Sequence, residues 1–269
     1  MNISVKSIIQ ETLPLKPTDL LLVTWNRPKL TEMTLRSIKQ NTTKGTYKLI
    51  VIDNNSDEET KTVLKKYRDD GTIDMLFLNK ENIGLEGARQ QGLEMVWSDY
   101  FVCIDNDILA PKKEFRFAGY QHTDWLQKLT ILMDRHPEYG AISARTQVMI
   151  GTGNIFDGHE NEEIVEFPHP GGSLRIMRTE AVKDVGGWDR KAPGRGSEER
   201  YICGKLNEAG HKTGFAVKVK CLHLFGDKDT DRWGYSKDWK PEDTGHSDVY
   251  HPKLEQGDDS NEIKEYIDD

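Results

Sequence analysis

No apolar run in this chain approaches the roughly 20 residues that a membrane-crossing helix needs. The segment from Met1 to Pro17 has no apolar core of signal-peptide length. Cysteine is scarce. Cys103, Cys203 and Cys221 are the only three, they lie far apart, and no Cys-x-x-Cys pair occurs. That argues against a disulfide framework or a thiolate metal site and predicts buried, reduced thiols. Positive charge is also lacking. The chain carries 37 Lys and Arg against 45 Asp and Glu, a formal net charge of −8, so no basic domain marks it as a nucleic-acid binder. No internal repeat is evident. These absences predict a soluble, cytoplasmic protein with no integral membrane segment.

What is present is a globular composition with uneven charge. Residues 227–269 hold fourteen acids and six bases, and the remaining residues hold 31 of each. The body is therefore electroneutral, and the acidity belongs to the C-terminal segment. At 269 residues the chain suits one large domain or two small ones.

Apolar strands and amphipathic helices alternate through the first 110 residues. Leu20–Thr24, Tyr47–Asp53, Ile73–Leu78 and Tyr100–Ile104 read as buried strands. Between them, Pro28 to about Gln40, a segment from a Ser56 cap to about Arg68, and Gly84–Trp97 read as helices. Leu85, Ala88, Leu93 and Trp97 are the expected inner face of the last. This order predicts right-handed βαβ units and a parallel, Rossmann-like sheet. The second half is less regular. Helices are expected at Asp124–Arg135, Thr179–Val185 and Ser197–Ala209. Extended chain is expected at Gly140–Met149, Leu174–Met177 and Phe215–Phe225, and loop over 151–172.

The fourth strand ends in Asp105-Asn106-Asp107. Strand alternation sends the two carboxylates to the same side at a carboxyl end, where open α/β sheets bind ligands. Two converging carboxylates repel unless a cation lies between them, and oxygen donors suit Mg²⁺ or Mn²⁺, which commonly hold phosphates. A plain turn is the competing reading.

Further motifs stand in a fixed order. They are Leu21-Leu22-Val23-Thr24-Trp25-Asn26-Arg27-Pro28, Ile50-Val51-Ile52-Asp53-Asn54-Asn55-Ser56, Asn82-Ile83-Gly84 and Gly87-Ala88-Arg89-Gln90-Gln91-Gly92. After Asp105-Asn106-Asp107 come Gly171-Gly172, Gly186-Gly187-Trp188-Asp189, and Glu198-Glu199 before a helix ending Ala209-Gly210. In this order they resemble a family 2 glycosyltransferase of the GT-A fold, over about residues 18–226. The resemblance implies an α/β fold in which a Rossmann-like nucleotide-binding half (1–110) merges with a smaller acceptor half (111–226) around one central mixed sheet. Residues 227–269 would form a lid over the donor or a solvated tail.

The resemblance also implies roles. Thr24, Asn26 and Arg27 would line the nucleotide pocket, and Asp53 would accept a hydrogen bond from the base. Asn82, Gly84 and Arg89 would lie near the base and diphosphate. Asp107 would bind Mn²⁺ or Mg²⁺ directly. Asp105 would touch the ribose or reach the metal through water, with Asn106 beside it, and His223 would be a further metal ligand. Gly172 and Trp188 would face the donor sugar or acceptor. Glu199 is the first candidate for general base, ahead of Glu198, with Asp189 as a competitor. Structural readings stand beside these: turn or cap carboxylates for Asp53, Glu198 and Glu199, core packing for Trp188 and His223. The implied activity is transfer of a sugar from a nucleotide-sugar, a UDP-sugar first, to an acceptor hydroxyl with inversion. A retaining transferase and a non-catalytic nucleotide-sugar binder are the alternatives. The acceptor is open among glycan, lipid-linked sugar, protein and modified nucleic-acid base.

Overall fold

The computed structural model describes residues 17–112, 115–117, 120–146, 156, 158–188 and 198–224. Parallel strands β1 (Thr18–Thr24), β2 (Tyr47–Asp53), β3 (Met75–Leu78) and β4 (Tyr100–Asp105) form one side of the main sheet. Helices α1 (Pro28–Asn41), α2 (Glu58–Asp69) and α3 (Gly84–Leu93) connect them. The chain continues through β5 (Ile108–Leu109), the hairpin β6 (Phe115–Phe117) and β7 (Tyr120–Thr123), and α4 (Trp125–Arg135). It returns through β8 (Tyr139–Thr146), β9 (Ile164–Glu166), β10 (Leu174–Arg178), α5 (Thr179–Asp184), α6 (Glu198–Glu208) and β11 (Lys212–His223). The order across the sheet is β3-β2-β1-β4-β10-β8-β11-β5, with β9 beside β11. β10 runs antiparallel to β4 and makes the sheet mixed.

Strand alternation divides the core in two. Leu20 and Leu22 of β1, with Val102 and Ile104 of β4, face a layer built on α1, α2 and α4. Leu21, Val23, Phe101 and Cys103 face the opposite layer, with Ala88 and Leu93 of α3, Val182 of α5 and Ile202, Cys203 and Leu206 of α6. That second layer carries the site, because Arg175 and Asp105 share the parity of Cys103. Among the described residues no helix is long and apolar enough to cross a membrane.

Several local expectations are corrected. Asp57, not Ser56, caps α2, accepting a hydrogen bond from the Thr60 amide at 2.8 Å. Ser56 Oγ instead accepts from the Asn26 amide at 2.8 Å. Helix α3 ends at Leu93 rather than Trp97, which is 89% exposed, and Leu85 in its first turn is 43% exposed rather than on the inner face. Strand β9 lies inside the segment expected to be loop. Ser197, Asp189 and the C-terminal segment 227–269 lie outside the described residues.

Candidate active site

Strands β1, β2 and β4 end side by side, so the residues following them share one edge of the sheet. At the end of β2, Asp53 is fully buried and accepts from the Thr24 hydroxyl at 3.1 Å and the Ser56 amide at 3.2 Å. Asn26 and Arg27 both take left-handed backbone conformations, with φ of 56° and 62°. Two consecutive non-glycine residues in that region are costly, and such conformations gather at functional sites. Here the turn aims the Arg27 guanidinium at Asp107, with Nη1 3.0 Å from Oδ2. Asn106 is buried and supports the same turn, donating to Thr31 Oγ1 at 3.1 Å. At the start of α3, Asn82 Oδ1 accepts from the Gly84 amide at 2.9 Å and from Asn54 Nδ2 at 2.7 Å.

Strand β11 delivers His223. Its Nε2 lies 3.2 Å from the other Asp107 oxygen, Oδ1, and the Leu224 amide donates to the Asp107 carbonyl at 2.8 Å. Burial opposes ionisation of Asp107, but His223 and Arg27 outweigh it and hold the carboxyl below its ordinary range. Burial likewise opposes a charge on His223, and Asp107 outweighs it, raising the imidazole pKa. Asp105 is pushed the other way. Burial raises its pKa, Arg89 pulls it down, and the charges of Asp107 and Glu199 add to the rise.

This donor set fits Mg²⁺ or Mn²⁺. Two adjacent ligand atoms on an octahedral ion with bonds of about 2.1 Å lie about 3.0 Å apart. Asp107 Oδ1 and His223 Nε2 are already at nearly that spacing. Among the described residues no group of three His, Cys, Asp or Glu side chains forms a ready metal cluster. The chain thus presents a pair of donors beside Asp105, leaving other positions to phosphate and water oxygens, as these ions favour.

On the α3 and α6 side, charge is buried deeply. Arg89 is 2% exposed. Its Nη2 donates to Asp105 Oδ1 at 2.8 Å, and its Nη1 pairs with Glu198 Oε2. Glu198 Oε1 accepts from Arg175 Nη2 at 2.5 Å and from the Trp188 indole at 2.6 Å. Burial penalises the Glu198 charge, yet Arg175 and Arg89 outweigh it and bring the pKa down to about 2. Trp188 is fully buried and packs edge-on against Phe101. Glu199, the next residue, is only partly buried, and its Oε1 accepts from the Gly172 amide at 3.3 Å. A Cβ on Gly172 would come within 2.8 Å of Glu198 Oε2 and 3.2 Å of Glu199 Oε1, so the loop must be bare of side chain there.

The structure therefore gathers Arg27, Asp105, Asp107 and His223 into one cluster, and Arg89, Glu198, Glu199 and Gly172 into a second that joins the first through Arg89. Thr24, Asn26, Asp53, Asn82, Gly84 and Asn106 hold the adjoining turns. Arg175 was missed at the sequence level. The signal was there: a lone guanidinium between Leu174 and Ile176 in a buried strand demands a buried partner.

Residues 19–117 match the profile of glycosyl transferase family 2. This segment belongs to that family. A poly(ribitol-phosphate) β-N-acetylglucosaminyltransferase, TarP of Staphylococcus aureus, is 32% identical over 102 residues, covering 37% of this chain and 31% of TarP. The chain spans about a third of the length of the curated relatives it matches. Two solved structures share the fold at low identity. The mannosyltransferase PcManGT of Pyrobaculum calidifontis, in complex with GDP-Man and Mn²⁺, aligns with a TM-score of 0.63 at 17% identity, covering 85% of this chain and 64% of that one. S. aureus TarS 1–349, in complex with UDP-GlcNAc, aligns with a TM-score of 0.60 at 16% identity, covering 85% and 63%. The family 2 segment and the mixed sheet together form a GT-A fold.

Proposed function

We propose that this chain is a metal-dependent glycosyltransferase that moves a sugar from a UDP-sugar to an acceptor hydroxyl with inversion. The observation that carries the reading is the juxtaposition of the two clusters. A donor pair suited to a divalent cation, Asp107 and His223, lies at the carboxyl edge of the sheet. The partly exposed Glu199 holds the amide of Gly172, whose carbonyl accepts from Arg89, the partner of Asp105.

In this reading Thr24, Asn26 and Asp53 border the nucleoside, while Arg27, freed from Asp107 by a rotation of its side chain, offers donors to phosphate oxygens. Asp107 and His223 hold Mn²⁺ or Mg²⁺. When bound there, the ion offsets the charge that builds on the departing diphosphate. Glu199 accepts the proton of the acceptor hydroxyl as its oxygen attacks the anomeric carbon. The bond from that carbon to the diphosphate oxygen breaks on the opposite face, and the configuration inverts.

Because TarP is an N-acetylglucosaminyltransferase and TarS holds UDP-GlcNAc, UDP-GlcNAc is the first donor to test, with GDP-mannose second after PcManGT. The acceptor is a hydroxyl-bearing molecule, and the poly(ribitol-phosphate) of TarP puts a polymeric glycan ahead of lipid-linked sugar, protein or a modified nucleic-acid base. The test is release of nucleoside diphosphate from a panel of nucleotide sugars in the presence of Mn²⁺, since transferases of this type slowly hydrolyse their donor without acceptor. Release from a UDP-sugar that stops in EDTA is expected. A panel with no release and no UDP binding by calorimetry overturns the reading.

A further inference from the structure

Four charged side chains, Arg89, Arg175, Asp105 and Glu198, form a continuous chain of ion pairs in which positive and negative charges balance. Arg175 is fully buried, and its guanidinium does more than pair with Glu198. Its Nη1 reaches the Pro170 carbonyl at 3.4 Å and Cys203 Sγ of α6 at 3.8 Å. The loop that Pro170 begins is held at each following residue as well. Ser143 Oγ donates to the Gly171 carbonyl at 2.6 Å, and the Gly172 carbonyl accepts from Arg89 at 3.4 Å while its amide donates to Glu199. Glu198 has one oxygen on Arg89 and the other shared by Arg175 and Trp188. Its carboxylate has no freedom to take a substrate proton. It is an anchor that pins the first turn of α6, and the residue pinned next to it is Glu199.

A buried ion-pair network is a poor way to gain stability, because well-packed apolar side chains do as well or better. It does fix geometry, since each guanidinium fork accepts its partners only in a narrow range of directions.

Resting on the glycosyltransferase reading above, we propose that Arg175 is a positioning residue: acting through Glu198 and Pro170, it sets where Glu199 and Gly172 stand relative to Asp105. No motif of the sequence contains it, and its side chain is fully buried.

Charge balance separates positioning from mere stability. Arg175→Met leaves Glu198 with one partner fewer, and Glu198→Gln leaves two buried cations against Asp105. Both single variants should melt at lower temperature. The double variant Arg175→Met/Glu198→Gln keeps the balanced Arg89–Asp105 pair, so its Tm should recover toward that of the parent. Its kcat for the UDP-sugar should stay down by about 10- to 100-fold, the scale of an ångström-sized misplacement, with KM and UDP affinity little changed. Arg175→Lys gives a second route that does not depend on the apolar variants folding. It keeps the charge but not the fork, and should retain Tm while losing kcat. If kcat returns with Tm in the double variant, or Arg175→Lys is as active as the parent, Arg175 is structural and the proposal is overturned. If the parent protein turns over no nucleotide sugar, the glycosyltransferase reading falls and takes this one with it.

Discussion

Glu198 and Glu199 are adjacent in the chain but stand in different surroundings, and two different measurements separate them. The Glu198 carboxyl is depressed from about 4.5 to about 2 by Arg175 and Arg89 despite burial. A carboxylate whose pKa is lower in the folded state stabilises the fold above its unfolded pKa, and that contribution is lost as pH falls through the folded value. The window therefore runs from about pH 4.5 down to about pH 2, and the shift is worth about 3 kcal/mol at most. Urea unfolding followed from pH 5 to pH 2.5 should show stability falling steadily, with a visibly shallower slope in Glu198→Gln. Parallel slopes would mean that Glu198 does not carry the acid sensitivity. Glu199 lacks such clamps. Glu199→Gln keeps the size and the Gly172 contact but cannot accept a proton, so it should bind UDP normally while kcat falls by about 10²–10⁴-fold. Near-parental turnover would remove Glu199 from the base position.

Elements were legible where local chemistry decides them. Strands β1, β2 and β4 are apolar runs, β2 and β4 ending in Asp53 and Asp105, and the place of Arg27, Asp105 and Asp107 at or just beyond their carboxyl ends follows from that pattern. The end of α3 was not legible. Leu93 and Trp97 keep helical spacing, but the chain turns away because Asp19 of β1 captures the amides of Trp97 and Ser98 at 2.8 and 3.0 Å. That is a contact across 78 residues that no local window contains. The strand around Arg175 shows that a buried partner is needed but not which one, because Glu198 lies on another element. Strands β5, β6, β7 and β9 are two to four residues long, too short for periodicity to mark. Strand β9 depends on close packing instead. A Cβ on Gly214 of β11 would stand 2.5 Å from the Val165 carbonyl and 2.9 Å from Ile164 Cγ2. The obstacle is backbone, which cannot rotate aside. Gly214→Ala should cost about 1–3 kcal/mol in chemical denaturation, as overpacking does. An unchanged midpoint would show that β9 shifts freely.

At the scale of the molecule, one sheet with a core layer on each face should unfold as a unit. The three thiols report on that. Cys103, Cys203 and Cys221 are buried, and burial raises them to about 11, 11 and 12. Thiolate is the reactive form, so a disulfide reagent at pH 8 should leave the native protein unmodified and react with three equivalents only after denaturation. Fast native labelling would expose local opening in the layer whose thiol reacts, Cys103 and Cys203 on one face of the sheet or Cys221 on the other. The same sheet sets the spacing of Asp107 from His223, one after β4 and the other at the end of β11. The central claim, a divalent cation there that serves inverting sugar transfer, is tested most directly by proton NMR of donor turnover by metal-stripped protein. With Mg²⁺ restored, the UDP-sugar should be consumed and the first-formed product should carry the inverted anomer. Before the metal is added, or with Asp107→Ala, the donor signal should persist. Equal consumption without metal, or a retained first product, would contradict the account.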